Sequence, residues 1–560
     1  MYIRVKTTPN SPRKSIQICE TYRKDGKVKQ RIVRHVGIAM NEEEVQKLKD
    51  LAAEFMANML IEKEKKLNQN SLFATDKEEL KLCFKKKAGR RRHKKLEEIL
   101  PPSQVTLDEI EEESRIIEGI HEVGGKLFDE TYQNLFKQKR AYQCLKDLVL
   151  ARIVHPVSKH KLQKKLSHNF GKEYSLDSIY RTMDKVFPAI NMIKQLTFNK
   201  TKSLFPEQID LLLFDVTTLY FESVTTDDLR NFGYSKDHRF NTTQVVLALA
   251  TNQDGLPVGY ELFSGNTAEV KTLAAAVESW KKLFHIKEVC FIGDRAMFSK
   301  GNIELMEKND YKYIIAAKLK SLPEDIKKSI LCEENYQATI LKEELAWVGE
   351  FNYQNQRLIV SYKTKRALKD QKDRQKILDK IKKQLGAKGT PGKLITNQGV
   401  KKFVSISESA GAFLDDDKIG LAAQWDGLHG VITNIEEASA TSLIARYARL
   451  WVIEESFRIN KHQLKMRPIF HWKPERIHAH IAICYMAFSI LRHLQYRVNL
   501  MQKVSVDCII DELLNVQASI YRHKKNGDLY RIPGSFSNNA RKIYKALDIM
   551  RPLDATIHAP

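Results

Sequence analysis

The sequence predicts a multidomain α/β protein with a mixed five-stranded sheet at its centre, and three observations carry that reading. The chain has 560 residues, too many for one ordinary domain and enough for three or more. Hydrophobic residues make up 42% and charged residues 29%, a balance that disfavours long disorder and an integral membrane protein. Between Asp210 and Leu319, apolar runs follow one another as strand, strand, strand, helix, strand, helix, strand.

The elements can be justified in order. SIQICETYR and KVKQRIVRHVG flank Asp25-Gly26, a hairpin signal, so residues 1–40 read as an N-terminal β-hairpin. From Asn41 a helical period takes over, with acids early and lysines late. Residues 41–205 read as a helical, basic region whose charge suits phosphate contact and hence DNA binding. The run Lys85–Lys95 holds eight lysines or arginines in eleven positions and no acid. After Pro101-Pro102, AYQCLKDLVLARIV and LDSIYRTMDKVF read as packing helices, with a helix-turn-helix as the alternative.

IDLLLFDVTTLYFES, TTQVVLALATN and LPVGYELFSGN are the first three strands of the central layer. A helix from Asn266, the strand EVCFIGD, the helix GNIELMEKN and the strand YKYIIAAKL complete it. That order, antiparallel first and parallel afterwards, is the order of a ribonuclease H-like sheet. Residues 206–321 and 431–500 are read as its two parts, separated by a separate β-rich insertion domain at 322–430. One long helix is expected from Ala440 to Leu464, and residues 501–560 read as a C-terminal helical tail.

Charge narrows the partner. Lysine and arginine number 93 against 69 acids, a formal charge of +24, which points to a polyanion, nucleic acid before an anionic membrane surface. The seven scattered cysteines form no C-x-x-C pair, so neither a disulfide framework nor a cysteine zinc site is expected. No signal-peptide pattern is read at the N-terminus, and IAICYMAFSIL is too short to span a bilayer. A cytoplasmic protein is expected, with no membrane partner.

Three acids stand out. Asp215 interrupts the apolar run LLLF-D-V, where an ionised carboxylate is costly unless paired, hydrogen-bonded or metal-bound. Asp294 ends the strand VCFIG, and strand ends are where open α/β sheets gather their sites. Glu454 lies in TSLIARYARLWVIEESFRINKHQLK. On a continuous helix, Tyr447, Glu454 and Lys461 would form one row beside an apolar stripe, with Arg458 one turn past Glu454. An acid from each of two strands and one from a helix is a set able to hold two divalent ions about 3.5–4 Å apart.

The stretches LLLFDVTTLYFES, GYSKDHRFNTTQVVLALATNQDGLPVGYELFSGNTAE, VCFIGDRAMFSKGNIELM, DGLHGVITN and YARLWVIEESFRINK resemble the DDE transposases of bacterial insertion sequences. The closest subgroup has a Tyr-x2-Arg-x3-Glu-x6-Lys signature and a β-strand insertion. The resemblance implies that Asp215, Asp294 and Glu454 are catalytic and bind two Mg²⁺ ions, with Mn²⁺ able to substitute. It implies that Tyr447, Arg458 and Lys461 contact DNA, and Lys85, Lys86, Lys87, Arg90, Arg91 and Arg92 are candidates for reading the terminal inverted repeats. The implied partners are double-stranded DNA, as transposon ends and target, and a second copy of the chain in a synaptic homodimer. Leu450 departs from the signature arginine, and Arg446, Arg449 and Arg458 are the candidate replacements. Trp425 is a further aromatic near the insertion. Three rival readings are kept: an inactive DNA-binding relative, a ribonuclease H-like nuclease, and a tyrosine nuclease using His478 and His480.

Overall fold

The computed structural model describes residues 2–7, 14–24, 27–39, 45, 49, 52, 107–205, 211–234, 241–284, 290–293, 300–341, 344–354, 356–386, 402–407 and 411–557. Two compact units divide the chain, Met1–Ser103 and Gln104–Pro560. In the first, β1 (Tyr2–Thr7), β2 (Lys14–Lys24) and β3 (Lys27–Ala39) form an antiparallel sheet in the order β1-β2-β3. The expected hairpin is there, with Lys24 facing Lys27, and one further strand joins it. Ile16 and Ile18 share a face by strand alternation and are fully buried with Ala39, Val45 and Ala52. The basic run Lys85–Lys95 lies outside the described residues.

The second unit opens with β4 (Ile110–Ile117), then five helices at Gly125–Tyr132, Lys139–Val154, Lys159–Phe170, Leu176–Val186 and Ile190–Ser203. Serine starts the third and fourth: Ser158 accepts the N–H of Lys161 and Ser175 that of Ser178, satisfying a helix donor that would otherwise lack a partner. The central strands follow in chain order: β5 (Leu211–Tyr220), β6 (Gln244–Thr251), β7 (Pro257–Ser264), β8 (Cys290–Gly293) and β9 (Lys312–Ala317). Then come β10 (Gln337–Leu341), β11 (Glu344–Tyr353), β12 (Gln356–Tyr362), the small pair β13 (Val404–Ser407) and β14 (Gly411–Leu414), and β15 (Leu428–Thr433).

One sheet holds nine of these strands, in the order β10-β11-β12-β15-β9-β8-β5-β6-β7. Its β7-β6-β5-β8-β9 half has the predicted order: β6 runs antiparallel to β5 and β7, while β8 and β9 run parallel to β5. The other half differs from the expectation. β10, β11 and β12 do not fold as a module apart; they extend the same sheet through β15, which pairs antiparallel with β9. Strand-like patterning gives strand identity but not the sheet that a strand will join.

Each sheet face has its own core. Leu212, Phe214 and Val216 point to one side, against Leu273 and Trp280 of the helix Glu269–Phe284. Leu213 and Leu219 point to the other, into a core shared with Ile453, Phe457 and the helix Pro474–Asn499. That helix is long and apolar enough to cross a membrane, yet it is almost wholly buried within the protein. The expected helical tail differs too. Between the helices Val506–Asn515 and Asn538–Lys545, β16 (Gln517–His523) and β17 (Leu529–Pro533) form a hairpin, followed by β18 (Thr556–Ile557). β16 pairs with β4 of the otherwise helical N-terminal region, about 400 residues away in sequence, giving a sheet ordered β18-β17-β16-β4.

Gly255, in the turn between β6 and β7, has φ +78°, and a Cβ there would lie 1.7 Å from Nη2 of Arg492. Gly527 has φ +76° with open space around it. Both alanine variants should lose about 1 kcal/mol from the left-handed backbone. Gly255→Ala should lose roughly 1–3 kcal/mol more by displacing a buried guanidinium. Chemical denaturation of the two variants side by side checks the difference.

Candidate active site

Asp215 sits in the middle of β5, among residues that are otherwise buried on both faces. Strand alternation sets it on the same face as Leu213 and Leu219, the face covered by the helix Trp451–Arg458. Its carboxylate is half-buried and accepts the N–H of Val216 at 2.7 Å. On β8, Cys290 and Ile292 belong to that same core, and Phe291 belongs to the opposite one. The parallel pairing matches Leu213 with Ile292, an offset of 292 − 213 = 79 residues. The separation of the two aspartates is also 294 − 215 = 79. Asp294 itself lies outside the described residues, which stop at Gly293 on this strand.

The helix bearing the third acid packs on β5 and β6 through buried Val452, Ile453 and Phe457. Glu454 and Glu455 are neighbours with opposite surroundings. Glu455 is half-buried and pairs with the buried Arg492 at 3.1 Å and with Arg458 at 3.6 Å. Arg492 also donates to the carbonyls of Gly255 and Asp254, each at 3.0 Å, and to Gln495. Glu455 therefore fastens its helix to the β6–β7 turn. Glu454 is exposed in the first turn of the helix, and its carboxylate makes no hydrogen bond or ion pair among the described residues.

The expected single helix is broken. Ala440–Tyr447 and Trp451–Arg458 are separate helices joined by a turn at 448–450, and a π-helix, Ile459–Gln463, follows. The turn is tight: Arg449 N–H bonds to the Arg446 carbonyl and Leu450 N–H to that of Tyr447, both three residues back. A constant 100° step thus fails between Tyr447, Glu454 and Lys461, and the predicted row does not follow. Tyr447 packs beside His429 of β15, ring centroids 5.2 Å apart, three strands from β5 in sheet order. Burial, with Arg366 and Lys363 nearby, lowers the His429 imidazole to about 4. Lys461 is half-buried in the π-helix, a rare geometry concentrated at functional sites.

Of the arginines that could replace the one missing at Leu450, Arg449 lies 4.0 Å from Asp254 and Arg458 pairs with Glu455. Arg446 has no carboxylate partner among the described residues. Trp425 packs, partly buried, against the outer core. His478 and His480 sit on the helix Pro474–Asn499, where two residues apart means about 200°. His480 Nε2 lies 3.1 Å from the Met466 carbonyl, while His478 packs on Phe187. They share no metal site. Among the described residues no group of three His, Cys, Asp or Glu could hold an ion, a set that excludes Asp294.

Residues 206–490, just over half the chain, match the family described as Transposase DDE domain. Residues 3–60 match the IS1634 family transposase, N-terminal domain. The chain belongs to the DDE transposases. The matched range of this transposase encloses Asp215, Asp294 and Glu454, together with β10–β12. Two solved structures are also similar: the "Mos1 transposase paired-end complex with left transposon end", 9% identical with a TM-score of 0.14, and the "Mos1 mariner paired end complex with Mn", 12% identical with a TM-score of 0.13. Each match covers 32% of this chain and 60% of the other. No curated protein matches the transposase sequence.

The two glutamates give a direct contrast. Glu455→Gln should cost roughly 1–3 kcal/mol of stability, because Arg492 loses its charged partner, discounted for the partial exposure of Glu455. Glu454→Gln should stay within about 0.5 kcal/mol of the parent, since nothing in the fold leans on it. Thermal and urea unfolding of both variants measure this.

Proposed function

We propose that this transposase cleaves phosphodiesters at the ends of its own element and joins the freed 3′-hydroxyls to target DNA. Asp215, Asp294 and Glu454 are its metal-binding acids. The observation that carries the proposal is the parallel register of β5 and β8. The ladder's offset of 79 residues, Leu213 to Ile292, equals the separation of Asp215 and Asp294 in the sequence, and Asp215 lies on the sheet face where the helix bearing Glu454 packs. The strand order β7-β6-β5-β8-β9, that of a ribonuclease H-like sheet, supports the same reading.

The donor set suits hard divalent cations. All three groups are carboxylates, one half-buried in an apolar strand and one exposed with no partner among the described residues, and oxygen ligands of this kind select Mg²⁺ or Mn²⁺. When bound, two such ions supply Lewis-acid stabilisation of the attacking and leaving oxygens of an in-line displacement. The chain's own residues do the rest. The Val216 N–H holds one oxygen of Asp215, and the Glu455–Arg492 pair fixes the helix beside it without consuming Glu454. Lys461 and Tyr447 contact backbone phosphates, and Arg446 replaces the signature arginine. The +24 charge favours a long DNA interface, to which Lys85–Lys95 contributes, and pairing of two ends requires a homodimer.

Purified protein incubated with Mg²⁺ and DNA carrying its element's terminal repeats should release 3′-hydroxyl ends, and chelation should abolish the products. Asp215→Asn, Asp294→Asn and Glu454→Gln should each lower the rate by roughly a hundredfold or more. Parent-like cleavage by any of the three would sink the assignment. In filter binding, replacing Lys85, Lys86, Lys87, Arg90, Arg91 and Arg92 by glutamine should weaken affinity and flatten the plot of log K against log salt. The slope should fall by about 0.9 for each phosphate that is no longer neutralised. An unchanged slope would remove this run from the interface.

A further inference from the structure

A second concentration of charge lies elsewhere in the Gln104–Pro560 unit. A cavity of about 550 Å³ opens between the end of the helix Lys139–Val154, the start of the helix Lys159–Phe170 and the segment 465–471. Its wall carries Arg152, Lys159, Lys465, Arg467, His471 and His480. Arg152 and Lys159 are each only 3% exposed. Neither forms an ion pair among the described residues, and Lys159 Nζ and Arg152 Nε have no hydrogen-bond partner. His480 Nδ1 is likewise buried without a partner.

Two adjacent buried cations without a counter-charge are unfavourable unless something anionic completes them. Acids on the neighbouring helices are already engaged: Asp147 accepts from Gln143 and Tyr174, and Asp184 pairs with Arg476. Burial and the Arg152 guanidinium push the Lys159 ammonium down to about 7, opposed among the described residues by Cys484. Burial also lowers His471 to about 3 and His480 well below its usual range, so both imidazoles are neutral hydrogen-bonding groups near pH 7. The positive end of the helix Lys159–Phe170, capped by Ser158, adds to the same potential.

We propose that this cavity binds a phosphoryl group carried by a DNA strand. Phosphate matches the cluster in charge and in its capacity to accept several hydrogen bonds at once. Because Lys159 Nζ and Arg152 Nε lie beneath the surface, a terminal phosphomonoester, which projects from its strand, reaches them better than a phosphodiester flanked on both sides. Phe470, 59% exposed at the rim, offers a face on which the adjoining base can stack. The DNA source rests on the function proposed above; the phosphate chemistry does not.

The test is calorimetric titration of the full chain at pH 7.5 with three probes: inorganic phosphate, a terminally phosphorylated tetranucleotide, and the same tetranucleotide ending in hydroxyls. The phosphorylated strand should bind about tenfold or more tighter than its hydroxyl counterpart. Proton uptake, read by comparing two buffers, should accompany binding, because a bound anion restores the charge on Lys159. Lys159→Met should weaken binding of the phosphorylated strand by about tenfold or more. Its unliganded melting temperature should be equal or higher, since a buried amine without a hydrogen-bond partner among the described residues is gone. Binding of inorganic phosphate with no preference for the phosphorylated strand would overturn the DNA source. Undiminished binding by Lys159→Met, or no phosphate binding together with a lowered melting temperature in that variant, would overturn the site. Asp215→Asn should keep full phosphate binding while losing cleavage, so the two proposals fail separately.

Discussion

The central constraint on this fold is the cost of one carboxylate. β5 lies in the interior of a nine-stranded sheet, apolar cores cover both of its faces, and Asp215 interrupts the run that fills them. Desolvating an ionised carboxylate there is unfavourable by several kcal/mol unless its oxygens find donors or cations. One oxygen takes the N–H of the next residue. Asp215 stands on the strand where parallel and antiparallel pairing meet, between β8 and β6.

The helical side of the site resolves a second problem, how to hold a glutamate near a core without committing it. Adjacent glutamates divide the work. Glu455 is anchored to Arg492, itself tied to the carbonyls of the β6–β7 turn, while Ile453 and Phe457 supply the apolar grip. Glu454 is left exposed on a helix that cannot easily rotate. The break at 448–450 gives a related freedom, since it lets Ala440–Tyr447 follow β9–β12 while Trp451–Arg458 follows β5 and β6. A single straight helix could not lie along both.

Legibility in the sequence tracked the range of the interactions that decide each feature. The strands β5 to β9 and their order were legible because each bears its own apolar run and the turns between them are local. Asp215 was legible as a candidate because a charge inside LLLF-D-V violates that pattern. Three features were not. That β10–β12 join the main sheet is decided by the pairing of β12 with β15, some 70 residues on, and nothing in RLIVSYK encodes it. β16 was masked by its helical neighbours, because its partner β4 sits near the other end of the chain. The break before Trp451 leaves the sequence helical in composition, with neither proline nor glycine to mark it.

The buried cations illustrate the opposite limit. Arg152 and Lys159 stand on helices among other polar and charged residues, so in sequence they read as ordinary polar positions. Only packing against Pro474–Asn499 and the segment 465–471 turns them inward, where their lack of counter-charges becomes visible. The same segment is fastened to the far end of β5, since the Ile469 N–H donates to the Tyr220 carbonyl at 3.2 Å and Arg467 stacks over the Tyr220 ring. The strand that carries the costly carboxylate is therefore tied at its end to the wall of the costly cations. The fold keeps these charges of opposite sign apart, and the two proposed ligands divide in the same way, a divalent cation on the side of Asp215 and a phosphoryl group on the side of Arg152 and Lys159.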